Sequence, residues 1–279
     1  MKKKLLSLIL VGTLAIGAVT GCGKNASDKG SKDSSNKVIK IAASTTPHAE
    51  ILREAKPILK EKGYDLKITE FEDYVQPNEV VESGEYDANY IQHLPYLESF
   101  NEEKGTHIVS VGKIHYEPFG IYPGTKKSLA KIAKGDKIAI PNDTTNEARA
   151  LLLLQDNGII KLKEGAGLKA TVNDIEENKN DIKFVELEAA QIARVTGENA
   201  YVVLNGNYAL AAGFSVGKDA LAYESTKSEA AKTYVNIIAV KEGNEDNEGI
   251  KELVNVLKSD KMKDFINNKY DAAVIPYEE

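Results

Sequence analysis

Arginine is scarce in this chain, occurring only as Arg53, Arg149 and Arg194. A guanidinium presents a planar fork that meets both oxygens of a carboxylate, so each is a candidate anion holder. Arg149 is the best placed. It sits near the start of a predicted helix, behind Asn142-Asp143-Thr144-Thr145-Asn146, where side-chain amides and helix-start N–H groups gather beside it. The competing role for Arg149 is an ion pair with a surface acid. His48, His93 and His115 could serve as bases or metal ligands. With Asp87 or Glu117 they form the candidate metal set, but their spacing matches no compact ligand motif. No segment is read as a nucleophile elbow, no pair of carboxylates stands out at strand ends, and the one cysteine, Cys22, ends an apolar leader. His93 is therefore read as a polar ring in a binding pocket, and no catalytic, metal or cofactor role is assigned.

These residues need elements to hold them. Val38–Ala43 reads as a strand, and Ser44-Thr45-Thr46-Pro47 after it as a polar N-cap cluster opening a helix through Ile51, Leu52, Ala55, Ile58 and Leu59 to a stop at Gly63. Further strands are predicted at 66–71, 87–91, 108–114, 119–122, 137–140, 184–188, 200–204 and 235–240, with helices between most of them, including 146–156 and 189–195. Strands alternating with helices predict an α/β protein with largely parallel sheets. Ligands of such sheets sit at the carboxyl ends of strands. The polar and aromatic clusters fall there: Ser44 to His48, Glu72-Asp73-Tyr74, Gln92-His93-Leu94-Pro95-Tyr96, Pro141 to Asn146, and Asn205-Gly206-Asn207. Loops distant in sequence thus converge on one cleft.

The ends of the chain say where it works. Lys2, Lys3 and Lys4 precede an apolar run from Leu5 to Val19, too short for a comfortable membrane span and flanked like an export signal. Val19-Thr20-Gly21-Cys22 resembles a bacterial lipobox, in which Cys22 is diacylated and becomes the mature N-terminus. Residues 1–22 are thus the signal peptide and lipobox. Residues 23–37, rich in Gly, Ser, Asn, Asp and Lys, form a flexible tether on the extracytoplasmic face of the cell membrane. A formal net charge of −6 with interspersed signs offers no basic stripe for nucleic acid. The acidic run Glu242 to Glu248 reads as a solvated loop before the last helices.

Several motifs in order carry a family resemblance. Asp87 to Glu98, Glu72 to Asn78, Ile138 to Asn146 with Arg149 to Leu154, and Tyr234 to Val240 resemble the NlpA/MetQ family of lipoproteins that deliver methionine to ABC importers. The resemblance runs from the lipobox to the last helix. It implies a two-lobed periplasmic-binding-protein-like fold with a ligand cleft between the lobes. By that analogy residues 38–117 plus 238–279 form lobe 1 and residues 118–237 form lobe 2. The resemblance further implies Arg149 on the ligand carboxylate and Asn205 and Asn236 as partners of the amino-acid backbone. Tyr74, His93 and Tyr96 would line the side-chain pocket, with an ABC permease as partner. Two residues depart from the pattern. Ile91 stands where Phe is usual, which is either a tolerated packing change or a mark of different cargo, such as a methionine-containing dipeptide or another apolar amino acid. Thr144 replaces a common Pro and is expected to affect only loop stiffness. An exported enzyme acting on an amino-acid derivative and a surface lipoprotein without a small ligand are the alternatives from other classes.

Overall fold

The computed structural model of the protein describes residues 37–225, 227 and 229–278. The leader, Cys22 and the tether up to residue 36 lie outside these residues. Lys37, expected in the tether, already pairs with Tyr64 as the first residue of a strand.

In the first lobe, β1 (Lys37–Ser44), α1 (Glu50–Glu61), β2 (Tyr64–Phe71), α2 (Gln76–Glu82), β3 (Ala88–His93), α3 (Leu94–Lys104) and β4 (Ile108–Tyr116) follow in order. α1 buries Ile51, Leu52, Ala55 and Leu59, a stripe at helical spacing that faces the sheet. β3 is buried along its whole length, so its polar residues Asn89, Gln92 and His93 must find partners inside the protein. Asn78, Asn89 and Gln92 do so by bonding one another at 2.6–2.9 Å.

The chain then crosses to a second lobe of β5 (Gly120–Pro123), β6 (Lys137–Pro141), α4 (Thr144–Asp156), β7 (Lys161–Leu162), β8 (Ile175–Glu177), β9 (Lys183–Leu187), α5 (Ala189–Ile192), β10 (Tyr201–Leu204), α6 (Gly206–Ala211), α7 (Val216–Asp219) and β11 (Ala222–Tyr223). It returns through α8 (Glu229–Thr233) to β12 (Val235–Lys241), α9 (Glu248–Leu257), α10 (Asp260–Tyr270) and β13 (Ile275–Pro276). The first sheet has strand order β13-β4-β12-β3-β1-β2 and the second β11-β5-β10-β6-β9. One apolar core lies around β1, α1 and α9 and another around β6, β10 and α4.

The sheets are mixed rather than largely parallel. β1, β2 and β3 pair in parallel, as do β6, β9 and β10. β12 runs antiparallel to both β3 and β4, and β5 antiparallel to β10. Those strands lie beside the two crossings, where the chain changes lobe instead of returning over the sheet through a helix. The lobe boundary expected between residues 237 and 238 falls inside β12: Val235 and Asn236 already pair with Tyr116 and His115 of the first sheet. The expected N-cap at Ser44 does not form. Thr46 is extended, a separate turn over Thr45–Ala49 precedes α1, and no side chain of Ser44 caps it.

The two crossings, 117–119 and 224–234, are laced together. Glu224 N donates to Phe119 O at 3.0 Å, and Phe119 N donates to the Glu224 carboxylate at 3.0 Å.

Candidate functional site

Between the lobes lies a small cavity, with about 300 Å³ of space not filled by atoms, open solvent included. Its walls include Tyr74, Ile91, His93, Tyr96, Arg149, Asn205 and Asn236, so every residue expected at the ligand borders one space. Each reaches it from the carboxyl end of a strand or from the element just after it, except Asn236, which stands near the start of antiparallel β12.

One wall is polar. Arg149 lies in the second turn of α4 and is buried. Its Nε and Nη2 bond both carboxylate oxygens of Glu224 at 2.8 and 2.6 Å, and Nη2 also donates to Glu117 O at 3.0 Å. The guanidinium carbon stands 4.2 Å from the centroid of the Tyr234 ring and 4.8 Å from that of Phe119. Burial alone would lower the arginine's pKa, but the Glu224 carboxylate raises it above the ordinary value, so the charge is permanent. The competing role in a surface ion pair is thus replaced by a buried one. One of the helix-start N–H groups expected beside Arg149 is already engaged: Asp143 caps α4 and accepts from Asn146 N at 3.0 Å. Asn146, absent from the expected set, is a hub. Its Oδ1 accepts from His93 Nε2 at 3.1 Å and from Asn205 Nδ2 at 2.9 Å. Asn205 Oδ1 is buried and has no hydrogen-bond partner among the described residues.

The other wall is aromatic and aliphatic. Tyr74, Ile91, Tyr96, Phe100 and Ala189 form one buried cluster. The Tyr74 ring meets Tyr96 edge-on at 5.4 Å and Tyr208 at 5.0 Å. Burial raises the pKa of the Tyr74 and Tyr96 hydroxyls, so both remain protonated. His93 caps α3: Nδ1 accepts from Tyr96 N at 3.1 Å, which leaves the proton on Nε2 for Asn146. Burial first, then the Arg149 charge, depresses its pKa to about 3. His93 is a neutral ring with both nitrogens engaged, so neither a base nor a metal-ligand role suits it.

The metal set divides. Asp87 accepts from Lys40 N at 2.7 Å, away from the cavity. His48, His115 and Glu117 do come together, their donor atoms within 4.8 Å of one another. Sequence spacing hid this, because the Thr45–Ala49 turn, β4 and the first crossing meet only in the fold. Glu117 borders the cavity, as do Asn207 and Gln92, none of which belonged to the expected ligand set. Glu117 had a legible signal, since it follows directly on β4; Glu224 had none, lying in an irregular return segment. Gly213-Phe214-Ser215-Val216-Gly217 has the spacing of a nucleophile elbow, contrary to the expectation that the chain contains none. It follows α6 rather than a strand, and Ser215 is the N-cap residue of the short α7, so the strand-turn-helix context of an elbow is missing.

The lobes are closed on this cavity. Tyr74 donates to Asn207 Oδ1 at 2.5 Å, Tyr208 to Glu72 O at 3.1 Å and Thr144 to Glu103 at 2.9 Å. Thr144 therefore does more than adjust loop stiffness: its hydroxyl joins α4 to α3 across the cleft.

The sequence profile of the NlpA lipoprotein family matches residues 39–278. The methionine-binding lipoprotein MetQ of Bacillus subtilis (strain 168) is 41% identical over 283 residues, covering 100% of both chains. Among solved structures, a lipoprotein from Ruminococcus gnavus ATCC 29149 is 76% identical with a TM-score of 0.86, over 87% of this chain and 100% of that one. A nutrient-binding protein from Burkholderia cenocepacia, solved bound to methionine, is 43% identical with a TM-score of 0.82, over 86% of this chain and 100% of that one.

Proposed function

Because the chain belongs to the NlpA lipoprotein family, we propose that it is a lipid-anchored, extracytoplasmic binding protein that captures L-methionine and delivers it to an ABC transporter permease. One observation carries this reading: a single cavity between the lobes has a polar wall around Arg149, Asn205 and Asn236 and an apolar one around Tyr74, Ile91 and Tyr96. A zwitterion with an apolar chain needs both. Arg149 takes the carboxylate through Nη1, the nitrogen not used in its bonds to Glu224 and Glu117. Asn205 and Asn236 hold the amino-acid backbone, while Tyr74, His93, Tyr96 and Ile91 enclose the thioether, whose sulfur favours aromatic edges. Closure of the lobes around the ligand is the working step, with no catalytic step and no cofactor. Acylated Cys22 is the anchor.

A second cargo within the same role is a methionine-containing dipeptide or another apolar amino acid, favoured by Ile91 in place of an aromatic ring.

Titration calorimetry on the protein, refolded to strip carried ligand, decides between them. L-Methionine, D-methionine, Gly-Met and other apolar amino acids form the panel. Tightest binding is expected for L-methionine; tighter binding of Gly-Met would change the cargo, and silence across the panel would overturn the transport reading.

A further inference from the structure

Glu117 is a carboxylate on the cavity wall with only 5% of its surface exposed. Its Oε1 lies 2.7 Å from His115 Nε2 and 3.6 Å from His48 Nε2. On the far side of the His115 ring, Nδ1 bonds the Tyr90 hydroxyl. A carboxylate only accepts, so His115 carries its proton on Nε2 and takes the Tyr90 hydroxyl proton as a hydrogen bond on Nδ1. His48 Nε2 is 3.0 Å from Asn236 Oδ1, also an acceptor. Burial depresses the pKa of His48 to about 4 and that of His115 to about 3, so both rings are neutral. Arg149, the nearby cation, already holds Glu224 through two bonds. Glu117 thus meets the cavity with oriented, neutral side-chain hydrogen-bond partners, and burial raises its pKa against the opposing pull of the Arg149 charge and of a backbone N–H from Asn207. A buried carboxylate without a bonded cation is a costly arrangement. The unpartnered Asn205 Oδ1 is a second buried acceptor on the same cavity. Asn205 Oδ1 lacks a donor among the described residues, and Glu117 takes hydrogen bonds from neutral His115 and from a backbone N–H of Asn207 but from no cation; together they call for a cation with several N–H groups.

We propose that Glu117, oriented by the Tyr90–His115 relay and assisted by Asn205 Oδ1, receives the α-ammonium of the ligand, so that the site selects zwitterions over otherwise identical acids. This rests on the amino-acid-binding reading above. Glu117 and Arg149 then fix the two charges of the ligand head at separate points, and recognition of the head no longer depends on which side chain follows it. Ligands whose nitrogen is acylated or replaced by hydroxyl leave the carboxylate without a countercharge and bind more weakly.

The test is calorimetry on the full chain with L-methionine and with its 2-hydroxy analogue, in which OH replaces the ammonium. The unaltered protein should prefer L-methionine by roughly a hundredfold, the scale of losing a charged hydrogen-bonded pair. Glu117→Gln should weaken L-methionine by a similar factor and leave the hydroxy analogue within about threefold, its retained binding showing that the variant is folded. Equal affinity for both ligands in the unaltered protein would overturn the proposal without any variant. Unchanged L-methionine affinity in Glu117→Gln, or an equal loss for both ligands, would also overturn it. Tight binding of Zn²⁺ alone, abolished by Glu117→Gln, would assign the cluster to a metal instead. Failure of the unaltered protein to bind either ligand would overturn the methionine reading itself and this proposal with it.

Discussion

His93 illustrates how a residue that suggests chemistry is turned to packing. Both ring nitrogens are engaged, and its pKa falls from 6.5 to about 3 on folding. The unfolded chain therefore binds a proton that the folded protein refuses. Stability from this residue is complete above pH 6.5 and is lost as pH falls towards about 3. Glu117 and Asp143, whose pKa values are raised by burial, act in the opposite direction, so the diagnostic quantity is a difference between variants. His93→Asn should flatten the stability-versus-pH slope by about 1.4 kcal/mol per pH unit within that window, read from urea unfolding at several pH values. An unaltered slope would mean that the ring is protonated in the folded state. The residue scale is also where sequence reading served best. Arg149, Tyr74 and Tyr96 were legible because cation and aromatic ring are recognisable types at strand ends. Glu224 was not, because nothing local distinguishes an acid that pairs across 75 residues of chain from one facing water.

At the scale of elements, α6 packs against the crossing so closely that its first residue has no room for a side chain. A methyl group on Gly206 would stand 2.6 Å from Glu117 Cβ and 2.7 Å from its Oε2. Gly206→Ala must push α6 away from Glu117, and overpacking of this kind costs about 1–3 kcal/mol. Methionine affinity should fall by about 5- to 150-fold with an unchanged circular dichroism spectrum. Full affinity would show that α6 can shift without disturbing the ligand. The strands and long helices were legible to within a few residues because their apolar periodicity is set by burial on a sheet. Strand direction was not. Alternation of strand and helix predicts parallel pairing, whereas β12 pairs antiparallel with β3 and β4 because the chain arrives from the other lobe. The closing contact of Thr144 was equally hidden, since its partner Glu103 sits on another lobe.

For the whole molecule, the proposed function rests on a balance between closed and open lobes. The hydroxyls of Tyr74 and Tyr208 each supply one bond across the cleft. A Tyr74→Phe, Tyr208→Phe double variant loses both, at about 0.5–1.5 kcal/mol each, and the equilibrium moves towards the open form. X-ray scattering should then give a larger radius of gyration than the parent without ligand, and the same radius at saturating methionine. Identical radii in both conditions would mean that other contacts hold the lobes. Glu224 adds a consequence for the order of events. It belongs to one crossing, accepts from Phe119 N and the Tyr116 hydroxyl beside the other, and grips Arg149 between them. In the proposed function the crossings would be the axis about which the lobes turn, and points near an axis travel least. On that reading Arg149 would keep its position while the cleft gapes, so an arriving molecule would be berthed by its carboxylate first and have its tail enclosed afterwards.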